Sequence, residues 1–274
     1  MIAAARRVCT GLVALSLVCT ALLGVASAAE DRCIAVANAP GNRLLHKASV
    51  RPAQAEEQGV RITYVGHSTF LIESRKGVRI ATDYSDWVRP AVVPDIITMN
   101  RAHSSHFTET PDPRIPHVLR GWNPAGGPAV HDLTERDVRV RNIPTNIRSW
   151  GTGGTDEFGN SIFIFEMGTL CIAHLGHLHH TLSDRQIGQI GQMDVILAPV
   201  DGSYTLDTPG MIEVLKGLKA PLVIPMHYFS SFTLSRFLDV ARADFEVATS
   251  PTPSLTVSRA TLPSKPQILV LPGS

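Results

Sequence analysis

No sign of charge dominates this 274-residue chain. It carries 25 lysines and arginines against 24 aspartates and glutamates, a formal net charge of +1. Without a basic excess there is no electrostatic case for nucleic acid, or for an anionic membrane surface, as the main partner. Charged residues are sparse, at 18%, while hydrophobic residues reach 44%. That combination excludes a disordered chain, which needs few apolar residues and a large net charge. No internal repeat is evident, and no shift in composition marks a domain boundary.

Cysteine is also scarce, with four in the chain: Cys9, Cys19, Cys33 and Cys171. The first two lie in a leader. Arg6 and Arg7 form a positive start, an uncharged apolar run extends from Val8 to Val25, and Ala26-Ser27-Ala28 closes it. This is the layout of a secretory signal peptide over residues 1–28. A transmembrane anchor is the competing reading, but the run ends in small residues rather than a basic stop. The expectation is an exported protein, periplasmic or secreted, with no stable membrane anchor after cleavage. The mature chain keeps only Cys33 and Cys171. In an oxidising compartment they can pair, or they can remain a loose N-terminal thiol and a buried one. Spacing alone does not show that they meet.

Residues 29–58 read as an irregular lead-in, and residues 59–274 as one domain. Val60–Val65 alternates apolar and polar, and Phe70–Glu73 and Val78–Ala81 follow it, split by Lys76-Gly77. This predicts a meander of short strands. Pro94 opens another strand over Asp95–Met99. Residues 107–137, rich in proline, glycine and aspartate, predict mostly loop. Val138–Ile143 alternates again, and Ser161–Glu166 with Leu170–Ala173 predicts a hairpin. Ser183-x-x-Gln186 is a capping-box signature for a helix over about 183–191. Buried strands are expected at Val195–Ala198 and Leu222–Ile224. Pro209 suits the first turn of a helix ending near Lys219. A helix over about 232–242 and strands near 245–248, 254–257 and 268–271 complete the α/β pattern.

Eleven histidines are unevenly placed. His103 and His106 follow the strand ending at Met99. His174, His177, His179 and His180 cluster at the end of the strand that closes at Ala173. His227 follows the strand ending at Ile224. Three strand ends thus each deliver imidazole into a loop. Neutral imidazole is the commonest protein ligand for zinc, and strand ends of a packed sheet are rigid enough to make ligands converge.

The motifs from Val60 to Phe229 resemble those of the metallo-β-lactamase superfamily. Within it they are similar to the branch of L-ascorbate-6-phosphate lactonase-like and N-acyl phosphatidylethanolamine phospholipase D-like hydrolases. Gly66-His67-Ser68-Thr69-Phe70-Leu71-Ile72-Glu73 resembles the branch's opening strand. Ile80-Ala81-Thr82-Asp83 resembles the next one, whose terminal aspartate supports the metal loop. Pro94-Asp95-Ile96-Ile97, Ile172-Ala173-His174-Leu175-Gly176, Asp194 to Pro199 and Pro225-Met226-His227-Tyr228 supply the remaining landmarks in order. The resemblance implies a four-layer αβ/βα sandwich with the site at one edge. It also implies hydrolysis rather than β-lactam resistance.

The metal loop departs from the family pattern H-x-H-x-D-H. Arg101 stands at the first histidine position, Ser105 at the aspartate position and His177 at the bridging aspartate. Asn146 or Arg148 lies near the position of the ligand between those motifs. A guanidinium cannot ligate a cation and repels one beside it. The expectation is one metal, held by His106, His177 and His227 with His103 as fourth ligand. Zinc fits best, with manganese or iron as alternatives. A metal-bound hydroxide would then attack an ester, lactone, amide or phosphodiester. Arg101 would fill the space of the missing metal and hold an anionic group of a small-molecule substrate. Asp83 would orient a group of the metal loop, and Tyr204 would donate to an oxyanion. The alternative is a catalytically inactive binding protein of the same fold.

Weaker signals frame these expectations. His67 is placed either near the site or within sheet packing. His179 and His180 are either behind the ligands or on the loop surface. His174 reads as a satisfied core histidine. His46, His117 and His131 read as surface or loop residues. Trp87, Trp122 and Trp150 wall a pocket or pack in the core.

Overall fold

A computed structural model describes Cys33, Ile34, residues 59–149, Gly151 and residues 153–273. The leader, His46 and Trp150 lie outside the described residues. Five strands open the domain: β1 (Val60–Gly66), β2 (Thr69–Glu73), β3 (Arg79–Ala81), β4 (Ile96–Met99) and β5 (His117–Arg120). They form a six-stranded sheet with β13 (Ser254–Val257), in the order β13-β1-β2-β3-β4-β5. An eight-stranded sheet holds β6 (Asp132–Glu135), β7 (Val138–Arg148), β8 (Thr155–Met167), β9 (Leu170–His174), β10 (Val195–Pro199), β11 (Leu222–Met226), β12 (Glu246–Thr249) and β14 (Gln267–Val270). Its order is β12-β14-β11-β10-β9-β8-β7-β6.

Side-chain alternation explains why the sheets stack. Successive residues of a strand point to opposite faces. Phe163 and Phe165 of β8, and Val195 and Leu197 of β10, face the first sheet and pack with Ile62, Phe70, Ile72 and Ile80. Their neighbours Ile162, Ile164, Ile196 and Ala198 face the other way, into a second core. Strands β9, β10 and β11 run parallel and are buried throughout. Burial on both faces is why they read as continuous apolar runs.

The helices α1 (Asp184–Ile190), α2 (Thr208–Leu218) and α3 (Ser231–Ala241) cover the outer face of the eight-stranded sheet. The expected capping box forms: Ser183 Oγ accepts from Gln186 N–H, and Gln186 Oε1 accepts from Ser183 N–H. Asp207 caps α2 by accepting from Gly210 N–H at 2.8 Å, with proline in the first turn. Over the outer face of the six-stranded sheet, loop residues Tyr84, Phe107, Ile115 and Trp122 cover Ile97 and Met99. Loops therefore supply much of the fourth layer of this α/β sandwich. None of the described helices is long and apolar enough to cross a membrane.

Two expectations are corrected. The 107–137 segment contains β5 and β6, four-residue strands bracketed by turn-forming sequence. Of the tryptophans, Trp122 is buried whereas Trp87 is 76% exposed, so Trp87 does not pack in the core.

Cys33 and Cys171 form a disulfide, with Cα atoms 5.8 Å apart. Both sulfurs lie in the core beneath the helices. Gly191 ends α1 in the left-handed region at φ 84°, and a Cβ there would lie 2.1 Å from Cys33 O. Only glycine permits that turn and that approach.

Candidate metal centre

The site forms where strands of both sheets end. His67 follows β1, Asp83 follows β3, and His103 and His106 follow β4. His177 follows β9, Asp201 follows β10 and His227 follows β11. Carboxyl ends of parallel strands are where open α/β sheets place ligands, because side chains there project past the packed core. The two sheets are tied together at this edge, since His227 N–H donates to His67 O at 2.8 Å. Three non-glycine residues of the site adopt positive φ: His67 at 51°, Asp83 at 42° and His227 at 55°. Such backbone costs about 1–2 kcal/mol per residue. Strain of this kind concentrates where side-chain direction matters more than stability.

Side-chain nitrogens of His67, His103, His106 and His227 all lie within 4.8 Å of one another. Two of these imidazoles are anchored from behind by buried carboxylates. His106 Nδ1 donates to Asp83 Oδ2 at 2.6 Å, and His227 Nδ1 donates to Asp201 Oδ2 at 2.9 Å. All four residues are fully buried. The anchors leave both Nε2 atoms as bare lone pairs, and these face each other at 3.1 Å. Two lone pairs at that distance repel unless a cation sits between them. Nitrogens bound tetrahedrally to one zinc at 2.0–2.1 Å stand about 3.3 Å apart. Carboxylate–histidine pairs are also the usual backing of metal ligands. The donor set therefore fits a cation that favours imidazole: zinc, copper, iron or nickel.

The carboxylates are themselves held. Asn100 Nδ2 donates to Asp83 Oδ1 at 2.9 Å. Asp201 accepts from the backbone of Ser203 and Thr205 and from the Thr205 hydroxyl. Burial pushes Asp201 up, but the hydrogen bonds from His227, Thr205 and Ser203 outweigh it and hold the carboxyl well below its usual range. Burial pushes the Asp83 carboxyl up, opposed by His174 and Asn100. Gly176, at φ 61°, admits Asn100 and Asn160 so closely that a Cβ would meet their amides at 2.4 and 2.3 Å.

Burial also moves the imidazoles. His106 and His177 are driven well below the ordinary histidine value, by desolvation first and by neighbouring imidazoles second. His67 falls to about 4 for the same two causes, and His179 falls to about 4 through burial and the Arg148 charge. The neutral, ligating form is thus the native one at neutral pH. An unfolded chain takes up these protons near pH 6.5, whereas in the folded chain His67 and His179 resist until about pH 4 and His106 and His177 also resist well below the ordinary histidine value. Stability is expected to fall as pH drops from about 6.5 to about 4. Thermal unfolding followed across that window checks this, and a midpoint independent of pH would contradict it.

The expected residues fall as follows. His103, His106 and His227 join the cluster. His177 reaches it through Nε2, 3.0 Å from His103 Nε2. His67 is within the cluster rather than in sheet packing. Ser105 links it to the loop, with Oγ 2.9 Å from His67 Nε2 and 2.7 Å from His103 Nδ1. His174 is a core histidine, with Nε2 donating to Ser68 O at 2.9 Å. Tyr204 lies at the mouth, where its ring is 5.4 Å from that of Phe229, and Phe229 is 5.2 Å from His227. Arg101 is exposed and lines a cavity of about 420 Å³ with Trp122, Asn123, Asp156, Glu157 and Phe158. It stands on the wall of that neighbouring space rather than among the imidazoles.

Comparison with known proteins identifies the family. A family model described as a beta-lactamase superfamily domain matches residues 61–227, and the chain belongs to that superfamily. A UPF0173 metal-dependent hydrolase from Thermoplasma volcanium is 27% identical over 216 residues, covering 68% of this chain and 87% of the relative. A like-named protein from Thermoplasma acidophilum is 27% identical over 205 residues, covering 65% of this chain and 87% of its own length. Among solved structures, a proposed Zn-dependent hydrolase of the metallo-β-lactamase superfamily from Thermotoga maritima superposes with a TM-score of 0.59. It is 26% identical, and the match covers 78% of this chain and all of that one. A metallo hydrolase from Ignicoccus hospitalis, 18% identical with a TM-score of 0.51 over 79% of this chain and 97% of that one, shares the fold.

Proposed function

We propose that the protein is an exported metal-dependent hydrolase acting on a small molecule with an ester, lactone, amide or phosphodiester bond. The observation that carries this reading is the pair of carboxylate-anchored imidazoles whose bare Nε2 atoms face each other at 3.1 Å. His106 and His227 would hold a divalent cation, with His103 and His67 as the further nitrogens within reach. Zinc is the cation proposed, as a single ion. Such a cation supplies Lewis acidity, polarising a carbonyl or phosphoryl oxygen and making water more acidic at neutral pH. Asp83 and Asp201 keep the Nδ1 protons in place and so keep the ligating lone pairs pointed inward. Phe229 and Tyr204 shield the mouth on one side.

The 420 Å³ cavity beside the metal loop is the proposed seat for the rest of the substrate. Arg101 receives an anionic group there, while Asp156 and Glu157 accept hydrogen bonds from donors on the same molecule. Arg101→Gln is expected to raise KM for an anionic substrate about tenfold, in line with loss of a charged hydrogen bond. Its metal content should stay unchanged, and unaltered kinetics would refute the assignment.

Elemental analysis of the purified mature chain, followed by an ester, lactone and phosphodiester panel, tests the main reading. One equivalent of zinc with activity lost to a chelator is the expected result. Bound metal without turnover of any substrate would leave the non-catalytic binding protein. Export is supported by the leader's layout and by the Cys33–Cys171 bond, since disulfides persist in oxidising compartments. N-terminal sequencing of the exported form is expected to begin at Ala29.

A further inference from the structure

Arg148, at the end of β7, stands behind the cluster and sets its hydrogen-bond polarity. Its backbone N–H and its Nε–H both donate to His179 Nδ1, at 3.0 and 3.1 Å. Two donors on one nitrogen demand a lone pair there, so the proton of His179 sits on Nε2. That Nε2 faces His177 Nδ1 at 2.5 Å and donates to it. His177 Nδ1 is then an acceptor, and its own proton sits on Nε2. A nitrogen that carries the ring proton has no lone pair for a cation. The Arg148 guanidinium is held in turn by the carbonyls of Ser203, Tyr204 and Thr205, at 2.8, 2.9 and 2.8 Å. The polarity therefore has a rigid source.

We propose that His177 is not a metal ligand but a dedicated hydrogen-bond donor, oriented by Arg148 through His179, that binds an anionic oxygen of the substrate beside the cation. This rests on the metal-centre reading above. Within the chain the His177 Nε2–H is received by His103 Nε2. His103 passes the same polarity on, donating from Nδ1 to Ser105 Oγ, whose hydroxyl donates to His67 Nε2. A cation that claims the His103 lone pair leaves the His177 N–H for an oxygen of the ligand. Arg148 and His179 are positioning residues, and His177 is the one that touches substrate.

The test uses the mature chain, with zinc and inorganic phosphate as probes. Calorimetric titration of His177→Ala is expected to return the wild-type zinc stoichiometry with affinity within about threefold. His106→Ala should lose zinc. Phosphate binding to the zinc-loaded His177→Ala protein should weaken about tenfold, the worth of a hydrogen bond to a charged group. His177→Gln, which keeps an N–H donor, should recover part of that loss. Long-range proton–nitrogen correlation spectra should place the ring proton on Nε2 in both His177 and His179. A zinc affinity lowered about a hundredfold in His177→Ala, or a proton on Nδ1 of His177, would overturn the inference. If His106→Ala binds zinc like the wild type, the metal centre itself falls and the donor role falls with it.

Discussion

Replacing His227 by alanine is expected to abolish stoichiometric cation binding and, with it, hydrolysis. His227 contributes one of the two carboxylate-anchored imidazoles, and its Nε2 lies 3.1 Å from that of His106. Alanine removes the donor and leaves Asp201 buried without its partner. Asp201→Asn is the milder probe. It spares the shape but weakens the grip on the Nδ1 proton, and should lower cation affinity by roughly 10–100-fold, as loss of such a backing group does elsewhere. Competition against a chromogenic chelator measures both variants. Circular dichroism guards against simple unfolding, because position 227 sits at φ 55°. A His227→Ala protein with wild-type cation affinity would end the metal assignment.

Breaking the Cys33–Cys171 bond is expected to cause a large loss of stability. The two residues are 138 positions apart. On the chain-entropy account, cross-linking a loop of that length stabilises by about 4–5 kcal/mol. Both cysteines are buried against the helical core, and Cys33 O also accepts from Gln192 N–H at 2.7 Å. Reduction therefore loosens the packing of Cys33 as well as removing a cross-link. Denaturant midpoints with and without reductant, and the Cys33→Ser and Cys171→Ser pair, measure the effect. Equal midpoints would show that the bond contributes nothing to stability.

Much of the architecture was legible because the strands are buried on both faces and therefore apolar without interruption. Val195–Ala198 and Leu222–Ile224 announce themselves in that way. The capping box at Ser183 and Gln186 was legible for a different reason: it is a contact across three residues. Strands β5 and β6 were not legible. Each has four residues, sits among prolines and glycines, and lies at the edge of its sheet, paired on one side only, β5 with β4 and β6 with β7. The length of β7 was hidden by Pro144, which pairs with Ser161 without interrupting the ladder.

The candidate site divides along the same line. That histidines cluster after three strand ends is a local pattern, and Asp83 carried the resemblance that placed it behind the metal loop. His67 gave a weaker signal of the same kind, since it too follows a strand, here through a glycine at φ 146°. The roles of Arg148 and Ser105 had no local signal. Arg148 acts on His179 from 31 residues away. Ser105 reaches His67 across 38 residues.

The amino-acid order by itself determined most of the strands and the three helices and which loops carry imidazole, because those properties depend on neighbours a few positions apart. Only the tertiary structure decided which nitrogens face one another, which of them keeps a lone pair, and that Arg101 lines a side cavity. Those outcomes depend on the register of two sheets and on contacts between residues far apart in the chain, such as His106 and His227, 121 positions from each other. Directionality in such a network passes from partner to partner, so no single segment contains it.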